Sequence, residues 1–153
     1  MIAEKKLQEL GYSLPDAIKP QGAYVPGVIA GDFAYTSGQT CRVNGELHYK
    51  GKVGNEVSLM EAQEAARICA VNCLGILKGL LGDLDRVEQI VHMVGYVASA
   101  DGFVSQTQAI DGASLLLRDV FGELGVTSRS AIGVYALPGN APCELEMVVK
   151  VKG

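Results

Sequence analysis

The stretch "SRSAIGVYALPGNAPCELEMVVKV", residues 128–151, decides the fold of this chain. It predicts two strands, 130–137 and 144–152, joined by a segment that begins with a Pro-Gly break. Only six residues, 138–143, separate the two strands, and this is too short for the crossover that a parallel pair requires. The two strands are therefore expected to run in opposite directions.

Arg129 stands at the start of the first strand, and its side of that strand carries the small residues Ala131 and Gly133. A guanidinium beside small side chains leaves room for a ligand, and its planar fork suits a carboxylate or a phosphate. An arginine at the start of a strand also commonly serves solubility. The spacing alone supports both interpretations equally.

Glu144 stands at the start of the second strand. In opposed strands Arg129 and Glu144 lie at opposite ends of the sheet, about 20 Å apart at 3.3 Å per residue. The two side chains can share a site only if one of them comes from a neighbouring subunit. The alternative is that Glu144 merely begins a polar strand face that Glu146 and Lys150 continue.

The first half of the chain predicts a hairpin followed by a long helix. Gly31-Asp32 joins two β-prone runs, and residues 1–15 form a short amphipathic pattern before them. Ser58 and Glu61 fit a capping box, and the apolar residues that follow recur at helical spacing until Gly82. This pattern indicates an amphipathic helix that lies on a sheet.

The second half adds a strand over 87–99 and a second helix around "GASLLLRDVFGELG", residues 112–125. The order β-β-(β)-α-β-α-β-β is typical of an α+β fold: a mixed sheet backed by two helices on one face. At 153 residues the chain is expected to form a single domain, 1–153, with residues 1–16 as an N-terminal helical extension.

The strand over 87–99 is apolar on nearly both sides. Its pattern places Val91, Met93 and Val97 on one face, and the opposite face is formed by Ile90, Val94 and Tyr96. Two helices cover only one face of a sheet, so the second apolar face predicts packing against another subunit.

Composition restricts the classes of function. The net charge is −4, the pI is about 5.1, and Lys5-Lys6 is the only basic cluster, so binding to nucleic acid is not expected. There is no apolar run of the ~18 residues that a membrane span needs, and no secretory signal pattern, so a cytoplasmic location is expected.

Few residues have the sequence context of a metal or nucleophile site. Cys69 and Cys73 share a helical face, but small packed thiols explain them better than a metal does. The two histidines are too scattered for a His-based site. Ser37-Gly38 ends a strand where glycine allows a ligand to approach the backbone, but no nucleophile elbow surrounds the serine. No nucleotide-binding glycine motif is present.

Three segments together resemble one family: "QGAYVPGVIAGDFAYTSGQ" (21–39), "GDLDRVEQIVHMVGYVAS" (82–99) and "SRSAIGVYALPGNAPCELEM" (128–147). By these motifs the chain resembles the reactive-intermediate deaminases, the Rid/YjgF family, also called endoribonuclease L-PSP or translation inhibitor. They occur in order over nearly the whole chain. The N-terminal helix and the "GKVG" loop look most like a divergent branch and not like the archetypal deaminase.

The resemblance implies a chorismate-mutase-like fold that forms homotrimers with ligand clefts between subunits. It implies hydrolysis of 2-imino or enamine acids to 2-oxo acids and ammonia, without a cofactor or metal. On matching positions, Arg129 holds the substrate carboxylate and Glu144 orients or activates the attacking water. Tyr24, Ser37 and Gly38 line the cleft.

Two departures from the archetype affect the expected activity. Ala131 replaces a cysteine two residues after the arginine, and the cleft asparagine before the second helix appears as Asp111. An aspartate repels a substrate carboxylate unless it is protonated or paired. The alternative function is therefore a non-catalytic trimer that binds a small ligand. A ribonuclease or translation inhibitor is the third, and the acidic pI argues against it.

Overall fold

The computed structural model describes residues 1–16 and 22–153. Gln21, the first residue of the N-terminal family motif, lies outside these ranges. The helices are α1 (Ile2–Glu9), α2 (Leu59–Leu81) and α3 (Gln106–Phe121). The strands are β1 (Gly27–Ala30), β2 (Phe33–Thr36), β3 (Gln39–Thr40), β4 (Arg42–Val43), β5 (Glu46–Leu47), β6 (Val87–Ala98), β7 (Ser128–Val134) and β8 (Cys143–Val151).

The main sheet is mixed, with the strand order β1-β2-β8-β6-β7, and β3 pairs with the other end of β8. β7 is parallel to β6, whereas β8 is antiparallel to β6. The prediction that the last two strands oppose each other is confirmed. They are not neighbours, however, because β6 lies between them.

The helices α2 and α3 pack on one face of this sheet. We call this the helix face; buried side chains such as Ala34, Met93 and Met147 point to it. We call the opposite face the outer face; it carries side chains such as Tyr35, Val94 and Glu146. The predicted α+β class, with helices on one face of a mixed sheet, is confirmed.

Local turn and cap signals are confirmed where they were predicted. β1 and β2 meet at Gly31-Asp32, and Gly31 has a φ of 60°, which glycine adopts without strain. The Ser58 hydroxyl accepts from the Glu61 amide, and the Glu61 carboxylate accepts from the Ser58 amide. This capping box begins α2, and Gly82 ends it.

One face assignment in the long strand is wrong. Ile90 and Met93 are both fully buried on the helix face, although strict alternation places them on opposite faces. Irregularities between Val87 and Gln89 and between Ile90 and His92 insert extra residues, so the alternation changes along β6.

The helix α3 begins six residues earlier than its apolar pattern indicates, at Gln106. Ser105 and Gln108 have the Ser-x-x-Gln spacing of a capping box, a start signal that lies outside the apolar pattern, although the Ser105 side chain makes no capping hydrogen bond. Asp111 consequently lies inside α3, and the expectation that it precedes the helix is wrong.

The N-terminal segment forms α1, which buries Ala3 and Leu7 against the core. Its Glu4 makes an ion pair of 2.6 Å with Lys78 of α2, and the Tyr12 hydroxyl donates to Glu64 of the same helix. None of the helices within residues 1–16 and 22–153 has the length and apolar character needed to cross a membrane.

Candidate functional site

Arg129 lies on β7 with its side chain on the helix face, in register with the buried Met93 of β6. Its side chain is 15% exposed. Three groups of α3 hold the guanidinium: Nη1 donates to the Ser114 hydroxyl at 2.7 Å, Nη2 donates to the Thr107 carbonyl at 3.0 Å, and Nη2 lies 2.8 Å from Asp111 Oδ1. The guanidinium is thus oriented from one helix.

The sequence placed Asp111 in the cleft of Arg129 but did not predict that the two side chains pair. Asp111 and Ser114 are three residues apart, so they share one face of α3, and both contact the Arg129 guanidinium. Ser114 and the Thr107 carbonyl were missed. The spacing of Asp111 and Ser114 was the available signal for Ser114, but it required knowing that α3 begins at Gln106.

The small residues beside Arg129 leave less room than their size indicates. A methyl group on Gly133 would lie 2.8 Å from the Gln106 amide nitrogen and 3.1 Å from the Ser99 hydroxyl, so α3 already packs on this glycine. Ala131 is partly buried against the core. The open space next to Arg129 is accordingly limited to the surroundings of the ion pair with Asp111.

Glu144 lies on β8 and points to the outer face, level with Tyr96 of β6. It is half-buried, and its carboxylate makes no hydrogen bond or ion pair within the described part of the chain. Burial raises the pKa of this carboxyl group, and the nearby charge of Glu146 raises it further. A carboxyl group in this state exchanges its proton closer to neutral pH than an exposed glutamate does.

The segment Ser37-Gly38 lies against Glu144. A methyl group on Gly38 would lie 2.8 Å from the Glu144 Cδ atom, so any larger residue at position 38 would displace this carboxylate. Thr40 pairs with Glu144 in the β3–β8 ladder, and the Gln39 amide donates to the Ser37 hydroxyl at 3.1 Å. The structure thereby places the Ser37-Gly38 segment beside Glu144.

The two groups of residues lie on opposite faces of the sheet. Arg129 is in register with Met93 of β6, and Glu144 is in register with Tyr96 of the same strand. Arg129 and Glu144 are therefore three residues apart along the strand direction and two strand spacings apart across the sheet. This amounts to about 10 Å in each direction, or roughly 14 Å in all, and not the expected 20 Å. The sheet itself separates them within one chain.

Tyr24 lies in the irregular segment before β1 and is 48% exposed. Its ring lies 3.1 Å from the position of a methyl group on Gly22.

The outer face also carries a pocket that the sequence did not indicate. Tyr35, His92, Val94 and Glu146 are among the residues that line it. The Tyr96 hydroxyl donates to Glu146 at 2.7 Å, and this bond raises the pKa of Tyr96 to about 12. Glu146 therefore has a partner, whereas its neighbour Glu144 on the same face has none in the part of the chain that the structure describes.

The four cysteines are buried free thiols, in accordance with the packed interpretation. Cys69 and Cys73 lie beside the Cys143 and Leu145 carbonyls of β8, and burial raises the pKa of Cys73 to about 12. Within residues 1–16 and 22–153 no three potential metal ligands cluster.

Comparisons with known proteins agree with this fold. The family model described as "YjgF/chorismate mutase-like, putative endoribonuclease" matches residues 4–151. Protein TCP17 of Trypanosoma cruzi is 37% identical over 146 residues, which cover 95% of this chain and 91% of that protein. A protein of unknown function from Agrobacterium tumefaciens is 39% identical, with a TM-score of 0.93 over 99% of this chain and 93% of the other.

Two Escherichia coli structures are similar in fold only. The YjgF gene product is 22% identical with a TM-score of 0.61, covering 90% of this chain and 92% of the other. TdcF with bound serine is 23% identical with a TM-score of 0.60, covering 92% and 94%. The lower TM-scores are in line with a divergent branch. On the match over residues 4–151 and the relatives above 30% identity, the chain belongs to the YjgF/chorismate mutase-like family.

Proposed function

We propose that this protein is a hydrolytic deaminase of reactive 2-imino and enamine acids, with the substrate bound in clefts between subunits of a homotrimer. The observation that carries the proposal is Glu144: a half-buried carboxylate that has no hydrogen-bonding or ionic partner within residues 1–16 and 22–153, and whose pKa is raised. Unpaired buried carboxylates cost free energy, so they are kept where they serve a ligand or a proton transfer.

Arg129 supplies the complementary group for a substrate carboxylate. A guanidinium has five N–H donors, and the three α3 partners engage at most three of them. At least two donors thus remain for a ligand. The fixed orientation of the side chain favours binding, since little rotamer entropy is lost when a carboxylate arrives.

The outer face supports assembly with further copies. Its exposed apolar residues include Val28, Tyr35 and Ile132, which are 48%, 41% and 44% exposed. Large exposed apolar patches rimmed by polar residues usually mark interfaces. Since Arg129 and Glu144 are separated by their own sheet, a shared cleft takes Arg129 from one subunit and Glu144 from its neighbour.

The proposed reaction needs neither a cofactor nor a metal. A water oxygen forms a bond to C2 of the iminium carbon while Glu144 accepts a proton from that water. Glu144 returns this proton to the nitrogen of the resulting carbinolamine, and the C2–N bond breaks as the hydroxyl oxygen forms the C=O bond. The hydroxyl proton passes to the released ammonia. The products are a 2-oxo acid and an ammonium ion. Orientation and one proton relay suffice because the iminium carbon is already electrophilic.

A trimer that binds a small ligand without catalysis is the second candidate, and one observation favours it. Asp111 already pairs with Arg129, so the clamp is electrically neutral before any ligand binds. The fold can hold such molecules, as TdcF with its bound serine illustrates for that protein. In this case Glu144 contributes to recognition and not to proton transfer.

Ribonuclease activity, which the family description names, is the third candidate. The net charge of −4 and the absence of a basic stripe in the sequence disfavour an RNA surface, because phosphate contacts dominate nucleic-acid affinity.

One assay separates the three candidates. A dehydratase generates 2-iminobutanoate, and the release of ammonia is measured with and without this protein, with Arg129→Ala as the test variant. Arg118→Ala is the matched control, because Arg118 is exposed on the same helix α3. Acceleration that Arg129→Ala abolishes and Arg118→Ala retains supports the deaminase. Wild-type inactivity favours the binding protein, and RNA cleavage lost in Glu144→Ala favours the ribonuclease.

A further inference from the structure

The two side chains of the Arg129–Asp111 ion pair differ in their solvent exposure. The Arg129 side chain is 15% exposed and that of Asp111 is 45% exposed, although the two groups are 2.8 Å apart. A ligand that approaches the guanidinium therefore meets the carboxylate as well. The charge of the clamp as a whole is zero.

Asp111 is not needed to hold the guanidinium in place. Ser114 and the Thr107 carbonyl orient Arg129 from the same helix, at 2.7 and 3.0 Å. Oδ1 of Asp111 is the oxygen nearest to Arg129, 2.8 Å from Nη2. Its second oxygen, Oδ2, makes no hydrogen bond among residues 1–16 and 22–153, so it is able to accept one from a ligand.

The charge arrangement discriminates between classes of carboxylate. A simple carboxylate brings a second negative charge next to Asp111, and like charges at this distance repel. A molecule with a positively charged nitrogen next to its carboxylate meets both members of the pair with the opposite sign. A 2-iminium acid and an α-amino acid have this pattern; a 2-oxo acid and a fatty acid do not.

We propose that Asp111 determines specificity: it selects ligands in which a cationic nitrogen adjoins the carboxylate and rejects carboxylates without one. This inference rests on the proposed function, because it requires that ligands bind at Arg129. In a deaminase it has a consequence for turnover. Hydrolysis converts the cationic nitrogen of the substrate to a carbonyl oxygen, so Asp111 weakens the binding of the 2-oxo acid product.

The test uses the intact protein and a matched set of probes: 2-aminobutyrate, butyrate and 2-oxobutanoate, which share a four-carbon chain. Calorimetric titration measures each dissociation constant for the wild type, Asp111→Asn and Asp119→Asn. Asp111→Asn removes the charge but keeps the oxygen that contacts Arg129. Asp119 is exposed on the same helix and makes no contact with Arg129, so Asp119→Asn is the control.

We expect the wild type and Asp119→Asn to bind 2-aminobutyrate about tenfold or more tightly than butyrate, and Asp111→Asn to lose this preference, since opposite charges in partly buried sites are worth a pKa unit or more. Equal wild-type binding of the two probes, or an unchanged preference in Asp111→Asn, overturns the inference. The wild-type comparison alone decides the matter if the variant does not fold.

The same experiment distinguishes failure of the inference from failure of the proposed function. Binding of the probes that Arg129→Ala abolishes, with no dependence on Asp111, contradicts only the role of Asp111. Binding that Arg129→Ala leaves unchanged, or a wild type that binds none of the probes, contradicts the clamp and the role of Asp111 together.

Discussion

The Arg129 group and the Glu144 group differ in how far the subunit satisfies them. Arg129 has three partners from one helix and lies on the packed face of the sheet. Glu144 lies on the open face, has no partner within the described residues, and packs against a glycine. Within the described residues, the Arg129 guanidinium has hydrogen-bonding and ionic partners, whereas the Glu144 carboxylate has none.

This difference indicates how the two groups divide the work. The oriented Arg129 guanidinium is suited to hold a ligand, because its side chain loses little conformational entropy when the ligand binds. A carboxylate whose pKa is raised is suited to accept and return a proton.

Glu144→Gln is expected to lower kcat by about 10²–10⁴-fold, the usual contribution of a general acid–base group, with little change in KM. Glu146→Gln is the control, because Glu146 lies on the same face but is bonded to Tyr96. Steady-state ammonia release checks this. A Glu144→Gln enzyme with wild-type kcat contradicts the proton-transfer role.

Arg129→Ala is expected to lower kcat/KM by about 10–150-fold, the equivalent of a lost charge-assisted hydrogen bond, chiefly by raising KM. Arg118→Ala should leave both constants unchanged. If kcat falls while KM stays constant, Arg129 acts in the chemical step and the assigned division of tasks is wrong.

Mixing the impaired variants Arg129→Ala and Glu144→Ala, assayed at substrate concentrations below KM, should restore activity if each cleft combines two subunits. In randomly mixed trimers roughly one cleft in four contains both intact residues, so recovery to about a quarter of wild-type activity is expected. Native mass spectrometry verifies subunit exchange. Exchanged trimers without recovered activity contradict the shared cleft.

The pH dependence of kcat/KM should show an acidic inflection above the ordinary glutamate pKa of 4.5, because burial and Glu146 raise the pKa of Glu144. Activity is lost as the pH falls through this inflection, since the base becomes protonated. Glu146→Gln removes one of the two causes and should move the inflection downward, whereas Glu123→Gln, an exposed control, should not.

Stability should respond in opposite directions in the two groups. Because the folded pKa of Glu144 is raised, its contribution to stability is present below pH 4.5 and is lost as the pH rises through the folded pKa. At pH 7 Glu144→Gln is thus expected to raise the free energy of unfolding by about 1 kcal/mol. Arg129→Ala is expected to lower it by about 1–3 kcal/mol, since the Ser114 hydroxyl, the Thr107 carbonyl and the Asp111 carboxylate lose a charged partner. Urea denaturation measures both, and changes of equal sign would contradict the comparison.

Local signals in the sequence were sufficient for much of the fold. The capping box at Ser58, the turn at Gly31 and the short linker before β8 each act through neighbouring residues, so their consequences follow from the sequence. The start of α3 was missed because its apolar pattern begins only at Gly112, although Ser105 and Gln108 have the spacing of a capping box.

The amino-acid sequence was sufficient to predict the class of fold, the relative direction of the last two strands, and Arg129 and Glu144 as candidate functional residues. Only the tertiary structure decided that Ile90 joins Met93 in the core, that Arg129 pairs with Asp111, and that the sheet separates Arg129 from Glu144. The reason is physical: caps and turns depend on bonds between residues a few positions apart, whereas these three outcomes depend on strand register and on where a helix packs.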